Sequence, residues 1–316
     1  MTRTLALALA AAATATALIA SLLALGDRSL ADPSSARCNA PVVRFGTAQR
    51  LPDYQQVAVH FTCNGAALAG TLTLPTGPDP HPAAVWVHAS GEAGRLTYTG
   101  APLVRALVDA GVAVLSYDKR GVGASQGRCC PGDSGHFNLL AADADGALHA
   151  LATRKDIDPD RLGFIGASQA GWVVPLAVVR ADRPVRFTAL ADAPVVSHGQ
   201  EQLYSHLTGE EGGHPSGLPN HTVLRRVRQA GPSGFQPLPF LQGMTAPGLW
   251  LFGGRDLSQP TALDLEVLAR LRATGHDFTT RVFPDADHGL LDVLPTNPQS
   301  LPTLVGWVRQ TVNTTQ

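Results

Sequence analysis

The sequence predicts an α/β fold, a mostly parallel sheet of short strands with helices covering both faces. Three observations predict it. Short apolar runs of strand length alternate with segments of ten or more residues that repeat apolar positions at helical spacing. Ser168 stands in Gly163-Phe-Ile-Gly-Ala-Ser-Gln-Ala-Gly-Trp172, between one such strand and one such helix. Asp256 and His288 each follow a later strand directly, at the strand ends where open α/β sheets gather their sites.

The first residues stand outside this rhythm. Arg3 supplies a short positive region, Leu5 to Leu25 is an apolar run, and Ser29-Leu30-Ala31 puts small residues where a signal peptidase reads. Residues 1–31 are expected to be an export signal cleaved after Ala31, giving a secreted or periplasmic protein. The run is long for a signal, so an uncleaved membrane anchor is the alternative.

Residues 32–55 read as an irregular leader. Val57 to Cys63 and Leu68 to Leu74 alternate around Asn64-Gly65, which marks an antiparallel hairpin at a sheet edge. A Pro/Gly-rich linker leads to a short apolar strand, Ala83 to Val87. Ala101 to Ala110 is expected to be a helix stopped by Gly111, and Val112 to Ser116 a buried strand. A loop over 124–136 precedes a helix from Phe137 to Thr153. Arg161 to Ile165 is the strand that leads to Ser168, and Trp172 to Val179 the helix after it. Phe187 to Leu190, Gly248 to Phe252 and Phe278 to Phe283 are further strands. Between the last two, residues 259–274 carry Leu263, Val267, Leu268 and Leu271 at helical spacing.

Residues 195–240 break the pattern. They are rich in Gly, Pro, His and charge, with only short helical pieces such as His221 to Gln229. A stretch of this length inside an α/β domain points to a functional cap. The expected organisation is therefore an export signal over 1–31, a first part of the core over 32–194, a cap over 195–240 and a second part of the core over 241–316.

The totals narrow the function. A chain of 316 residues buries a large core, and a net charge of −1 gives no reason to expect nucleic acid or an anionic membrane surface as partner. A membrane enters only if the N-terminal segment stays uncleaved. Lys119 and Lys155 are the only lysines among 24 basic residues, a bias that reads as codon usage. Cys38, Cys63, Cys129 and Cys130 are even in number, which in an oxidising compartment suggests two disulfides. Three pairings are possible. Cys38 with Cys63 would leave Cys129 and Cys130 as a vicinal pair, and free thiols in a loop remain a further alternative. No ligand spacing points to a metal.

The residues around Ser168 carry the chemistry. A nucleophile must project from a turn tight enough to expose its hydroxyl, and side chains two positions either side would collide there. Gly166 and Ala170 are small enough. The same turn aims the first amides of the next helix at a developing negative charge. A serine nucleophile needs a base and an acid that orients the base. His288, in Pro284-Asp-Ala-Asp-His-Gly289, fits the base. Asp256, in the turn Gly253-Gly-Arg-Asp256, fits the acid, with Asp192 and then Asp287 as rivals. The oxyanion donors are expected to be the backbone N–H groups of Ser90 and Gln169. His88 is read as a structural residue that holds its loop by hydrogen bonds. Asp118 and Arg120 are expected to pair and brace the loop after the second core strand.

With these pieces in order, the chain resembles an α/β-hydrolase of the bacterial esterase and serine-aminopeptidase-like group. The resemblance rests on His88-Ala-Ser-Gly91, Tyr117-Asp-Lys-Arg-Gly-Val-Gly-Ala-Ser125, Ile165-Gly-Ala-Ser-Gln-Ala-Gly-Trp172, Leu251-Phe-Gly-Gly-Arg-Asp256 and Asp287-His-Gly289. It covers roughly residues 57–312. It implies an eight-stranded sheet, a triad of Ser168, His288 and Asp256, and no cofactor. Ala89 departs from the usual glycine, and so does Ala170. The implied activity is hydrolysis of carboxylic esters of small or medium acyl groups through an acyl-enzyme. The alternatives are an amidase or aminopeptidase on the same triad, with Glu201, Glu210 and Glu211 available to hold an amine, and a non-catalytic binding protein on this fold.

Overall fold

A computed structural model describes residues 37–95, 100–210, 215–292 and 294–314. The expected export signal lies outside the described residues. Among those described, no helix is long and apolar enough to cross a membrane.

Among the described residues, ten strands form one sheet. They are β1 (Val43–Phe45), β2 (Gln49–Arg50), β3 (Tyr54–Cys63), β4 (Ala66–Pro75), β5 (His81–Val87), β6 (Ala113–Tyr117), β7 (Ile157–Ala167), β8 (Phe187–Ala191), β9 (Gly248–Gly253) and β10 (Phe278–Phe283). The order across the sheet is β1-β3-β4-β6-β5-β7-β8-β9-β10, with β2 also on β3. From β6 to β10 every neighbour is parallel, whereas β3 and β4 add antiparallel at the edge. Strands β3 to β10 are the eight expected. The leader is less irregular than its sequence suggests, because β1 and β2 pair onto β3. Strands of two or three residues have no periodicity to read, so only their partner makes them strands. The β3–β4 turn has positive φ at Asn64 (46°) and Gly65 (74°), the conformation that favours this dipeptide.

The helices are α1 (Gly100–Asp109), α2 (Ser134–Ala152), α3 (Ala170–Arg180), α4 (His198–Thr208), α5 (Asn220–Ala230), α6 (Leu238–Gly243), α7 (Thr261–Ala273) and α8 (Ser300–Asn313). Strand β5 shows how they cover both faces. Its Val85 and Val87 pack with residues of α2 and α3, such as Leu148 and Val173, on one face. Its Ala84 and Trp86 pack with Leu107 of α1 and Leu304 of α8 on the other. A strand buried on both sides therefore reads as a continuous apolar run, as this one does.

Residues 195–240 hold more helix than their composition suggested. Helix α4 opens on a capping box in which Ser197 and Gln200 satisfy each other's backbone. That Ser-x-x-Gln spacing was the available signal, masked by a polar and glycine-rich context. Tyr204 of α4 joins Val196, Val223, Val227 and Leu263 in a separate small core. Helix α8 has no counterpart in the sequence reading. The cysteines pair as Cys38 with Cys63 and Cys129 with Cys130.

Asp118 and Arg120 do not pair, contrary to the sequence expectation. The chain turns after β6, closed by Val122 N–H donating to Lys119 O at 2.9 Å, and sends the two side chains apart. Asp118 binds Arg95 at 2.6 Å, and Arg120 binds the fully buried Asp143 of α2 at 2.5 Å.

Candidate active site

Strand β7 ends at Ala167 and helix α3 starts at Ala170, so Ser168 and Gln169 are the whole turn between them. Its φ is +52°, left-handed backbone that a side-chain-bearing residue adopts only when its surroundings impose it. The surroundings are visible. Ser168 N–H donates to Ala191 O of β8 at 3.0 Å, and Ser168 O accepts from Gly171 N–H at 2.9 Å. A Cβ on Gly166 would land on the Ala170 Cβ and 2.9 Å from Val87 O. The turn therefore tolerates one methyl at this crossing, and Ala170 has it.

Asp256 and His288 come together although 32 residues separate them. His288 Nδ1–H donates to Asp256 Oδ2 at 2.8 Å. Asp256 Oδ1 accepts from the backbone N–H of Ser258 (2.7 Å) and Gln259 (3.1 Å), and the carboxylate is fully buried. Close approach of the two loops depends on Gly253 and Gly254, where a Cβ would meet Asp287 O at 2.5 Å and Pro284 O at 2.6 Å. Burial disfavours the charged imidazolium. The Asp256 hydrogen bond and charge, with Asp192 and Glu201 further off, outweigh it and raise His288 to about 9.

The rivals have other positions. Asp192 Oδ2 accepts from the N–H groups of Gly289 (3.0 Å) and Leu290 (2.6 Å), so it holds the loop that bears His288. Burial pushes Asp192 up to about 7, against the nearby His288 charge. Asp287 is exposed and turned outward. Helix α4 braces the acid turn from above, with Tyr204 OH donating to Asp256 O at 3.2 Å and Thr208 Oγ1 to Leu257 O at 2.5 Å.

Ser168 and His288 line one cleft of ≈ 350 Å³ with Trp86, Ala89, Ser90, Ala167, Asp192, Glu210 and the 289–292 loop. Ser90 is exposed at its wall, and Gln169 is buried beside Ser168. Among the described residues, neither backbone N–H has a hydrogen-bond acceptor. Glu210 is exposed on the cleft and Glu201 is buried, while Glu211 lies outside the described residues. His88 is buried, with Nε2 2.5 Å from Tyr117 O, and burial chiefly depresses it to about 3. It holds its loop as a neutral ring.

The sequence reading missed Lys119. Its side chain is buried between the Ser90 loop and Ser168, and Nζ donates to Ala89 O (2.5 Å), Gly91 O (2.8 Å) and Gln169 Oε1 (3.2 Å). Its rarity was the signal, one of two lysines in an arginine-rich chain.

Residues 135–315, more than half of the chain, match the model of the prolyl oligopeptidase family. Uncharacterized protein YfhR of Escherichia coli (strain K12) is 31% identical over 143 residues, which cover 45% of this chain and 48% of that protein. Uncharacterized protein Rv2307c of Mycobacterium tuberculosis (strain ATCC 25618 / H37Rv) is 31% identical over 198 residues, 52% of this chain and 68% of that one. The match thus spans about half the length of the E. coli relative. Among solved structures, acetyl xylan esterase 1 from a Thermoanaerobacterium species superposes with a TM-score of 0.62 at 16% identity, over 87% of this chain and 89% of that one. A Pyrococcus furiosus esterase gives 0.62 at 16% identity, over 84% and 96%. A Pyrococcus horikoshii acylaminoacyl peptidase gives 0.64 at 14% identity, over 84% and 43%. The fold is that of the α/β-hydrolases.

Proposed function

The chain belongs to the prolyl oligopeptidase family, and from that premise we propose that it is a serine hydrolase cleaving carboxylic esters of small or medium acyl groups. One observation carries the reading: the buried Asp256 carboxylate orients His288 at 2.8 Å, and His288 shares a cleft with a serine held at φ +52°. Three solved structures of this fold are esterases or an acylaminoacyl peptidase by name, which supports acyl transfer.

In this reading the Nδ1–H bond to Asp256 leaves His288 Nε2 as the lone-pair nitrogen. Nε2 takes the Ser168 proton while Oγ bonds to the acyl carbon. The carbonyl electron pair moves onto oxygen, which rests on the N–H groups of Ser90 and Gln169. The pair returns, the ester C–O bond breaks, and the imidazolium gives its proton to the departing alkoxide. Water repeats the cycle and releases the acid. Ser168→Ala is expected to abolish turnover of p-nitrophenyl acetate and labelling by a fluorophosphonate, with the thermal midpoint unchanged. Retained turnover sinks the assignment. An unlabelled wild type would favour a binding protein on this fold.

An amidase or aminopeptidase on the same residues is the second reading, favoured by Glu210 on the cleft wall, where its carboxylate would pair with a substrate amine. Aminoacyl anilides assayed beside p-nitrophenyl acetate separate the two. Residues 195–240 act as the cap in either case. The Cys38–Cys63 disulfide supports an exported protein, secreted or periplasmic, or membrane-anchored if residues 1–31 remain.

A further inference from the structure

Lys119 takes no part in the steps above, yet its ammonium reaches both halves of the oxyanion site. A lysine ammonium has three N–H donors. Ala89 O, Gly91 O and Gln169 Oε1 use all of them. None is a carboxylate, and among the described residues Lys119 is in no ion pair. A buried cation bound only to neutral acceptors is costly, so a fold keeps it where its geometry or its charge is needed.

Peptide planarity says what the geometry does. Ala89 C=O and Ser90 N–H belong to one trans peptide unit and point to opposite sides of it. Drawing Ala89 O inward onto Nζ turns Ser90 N–H outward, on the side where Ala89, Ser90 and Ser168 line the cleft. The bond to Gly91 O holds the far end of the same short loop. The bond to Gln169 Oε1 ties that loop to the residue whose own N–H is the second donor.

We propose that Lys119 is the positioning residue of the oxyanion site, its ammonium clamping the Ser90 loop to the Ser168 turn so that two backbone N–H groups converge on one point. The inference rests on the serine-hydrolase reading. It gives Ala89 a fixed orientation without the usual glycine. It also explains the lysine, because a planar guanidinium cannot direct donors to three acceptors arranged around a tetrahedral nitrogen.

Lys119→Met keeps the length of the side chain and removes its donors and charge, and Lys119→Gln keeps a shorter N–H donor. Both are measured per serine, titrated to completion with a fluorophosphonate. For Lys119→Met, kcat on p-nitrophenyl acetate is expected to fall about 10²- to 10³-fold, the loss typical of one oxyanion donor. KM stays within about threefold of wild type, because the contact is made in the transition state. Affinity for a trifluoromethyl ketone, whose serine adduct bears the oxyanion, falls by the same factor as kcat/KM, and Lys119→Gln lies between. A purely structural lysine would lower the thermal midpoint and the titratable fraction and leave kcat per titrated serine alone. An unchanged kcat in Lys119→Met, beside an inactive Ser168→Ala, overturns the clamp and leaves the hydrolase reading standing. An active Ser168→Ala overturns that reading itself. If Lys119→Met does not fold, Gln169→Met removes one clamp acceptor and keeps its own amide. It is expected to lower kcat about tenfold or more, the scale of a lost hydrogen bond to a charged group, and an unchanged value overturns the clamp equally.

Discussion

Two buried aspartates flank His288, and their hydrogen bonds separate their work. Asp256 meets the imidazole itself, whereas Asp192 meets the backbone behind it. The sequence ranked Asp256 first from its place after β9, but both follow strands, and only the packed loops show which carboxylate meets the ring. The pairing has a consequence in pH. With His288 raised to about 9, its neutral form grows as pH rises, so kcat/KM is expected to climb with an inflection near pH 9. In Asp256→Asn the inflection moves towards the ordinary histidine value of about 6.5, and kcat falls about 10⁴-fold. A pH–rate profile with the same inflection in both proteins contradicts this. Stability follows the same linkage. The folded value lies above the unfolded one, so the contribution of the pair is complete below about pH 6.5 and fades as pH rises through 9.

At the scale of elements, the Ser168 turn is the part most legible in the sequence. Its requirement is local: one strand, one helix and two small residues facing each other. The structure adds that Gly166 and Ala170 compete for the space of one methyl. Gly166→Ala is expected to cost about 1–3 kcal/mol by overpacking and to slow fluorophosphonate labelling. Adding Ala170→Gly removes the contact between the two methyls but leaves the one with Val87 O, and is expected to restore part of both. Urea unfolding and labelling rates of the single and double variants check this, and additive losses would refute the competition. Other elements were hidden for physical reasons. β1 and β2 are too short for a period and exist through β3. Helix α4 has a polar face towards the acid turn, so its apolar pattern is weak and its capping box was the only local sign. Asp118 and Arg120, two residues apart and opposite in charge, looked like partners until the turn at 119–122 separated them.

Across the whole molecule, the parallel sheet sets β5, β7, β8 and β9 side by side, so that the loops after them meet at one edge. Ser90, Ser168, Asp192 and Asp256 come from those four loops, and His288 from the loop after β10. The antiparallel β3–β4 hairpin lies at the other side of the sheet, where Cys38–Cys63 ties the N-terminal segment to it across 25 residues. A cross-link of that span restricts the unfolded chain by about 3.5 kcal/mol. The double variant Cys38→Ala with Cys63→Ala is expected to lose about that much in denaturant unfolding while kcat on p-nitrophenyl acetate holds, since neither cysteine lines the cleft. A fall in kcat without a fall in stability would contradict it.

The sequence alone determined the strand–helix alternation, the Ser168 turn and the residue types that follow β9 and β10, because each is written in neighbours a few positions apart. Tertiary structure alone decided which aspartate meets His288, where Asp118 and Arg120 find their partners, and that Lys119 joins the loop of Ala89, 30 residues before it, to Gln169, 50 residues after it. Those outcomes depend on distances between segments that share no local pattern, and a linear text holds no record of such distances until the sheet brings the segments together.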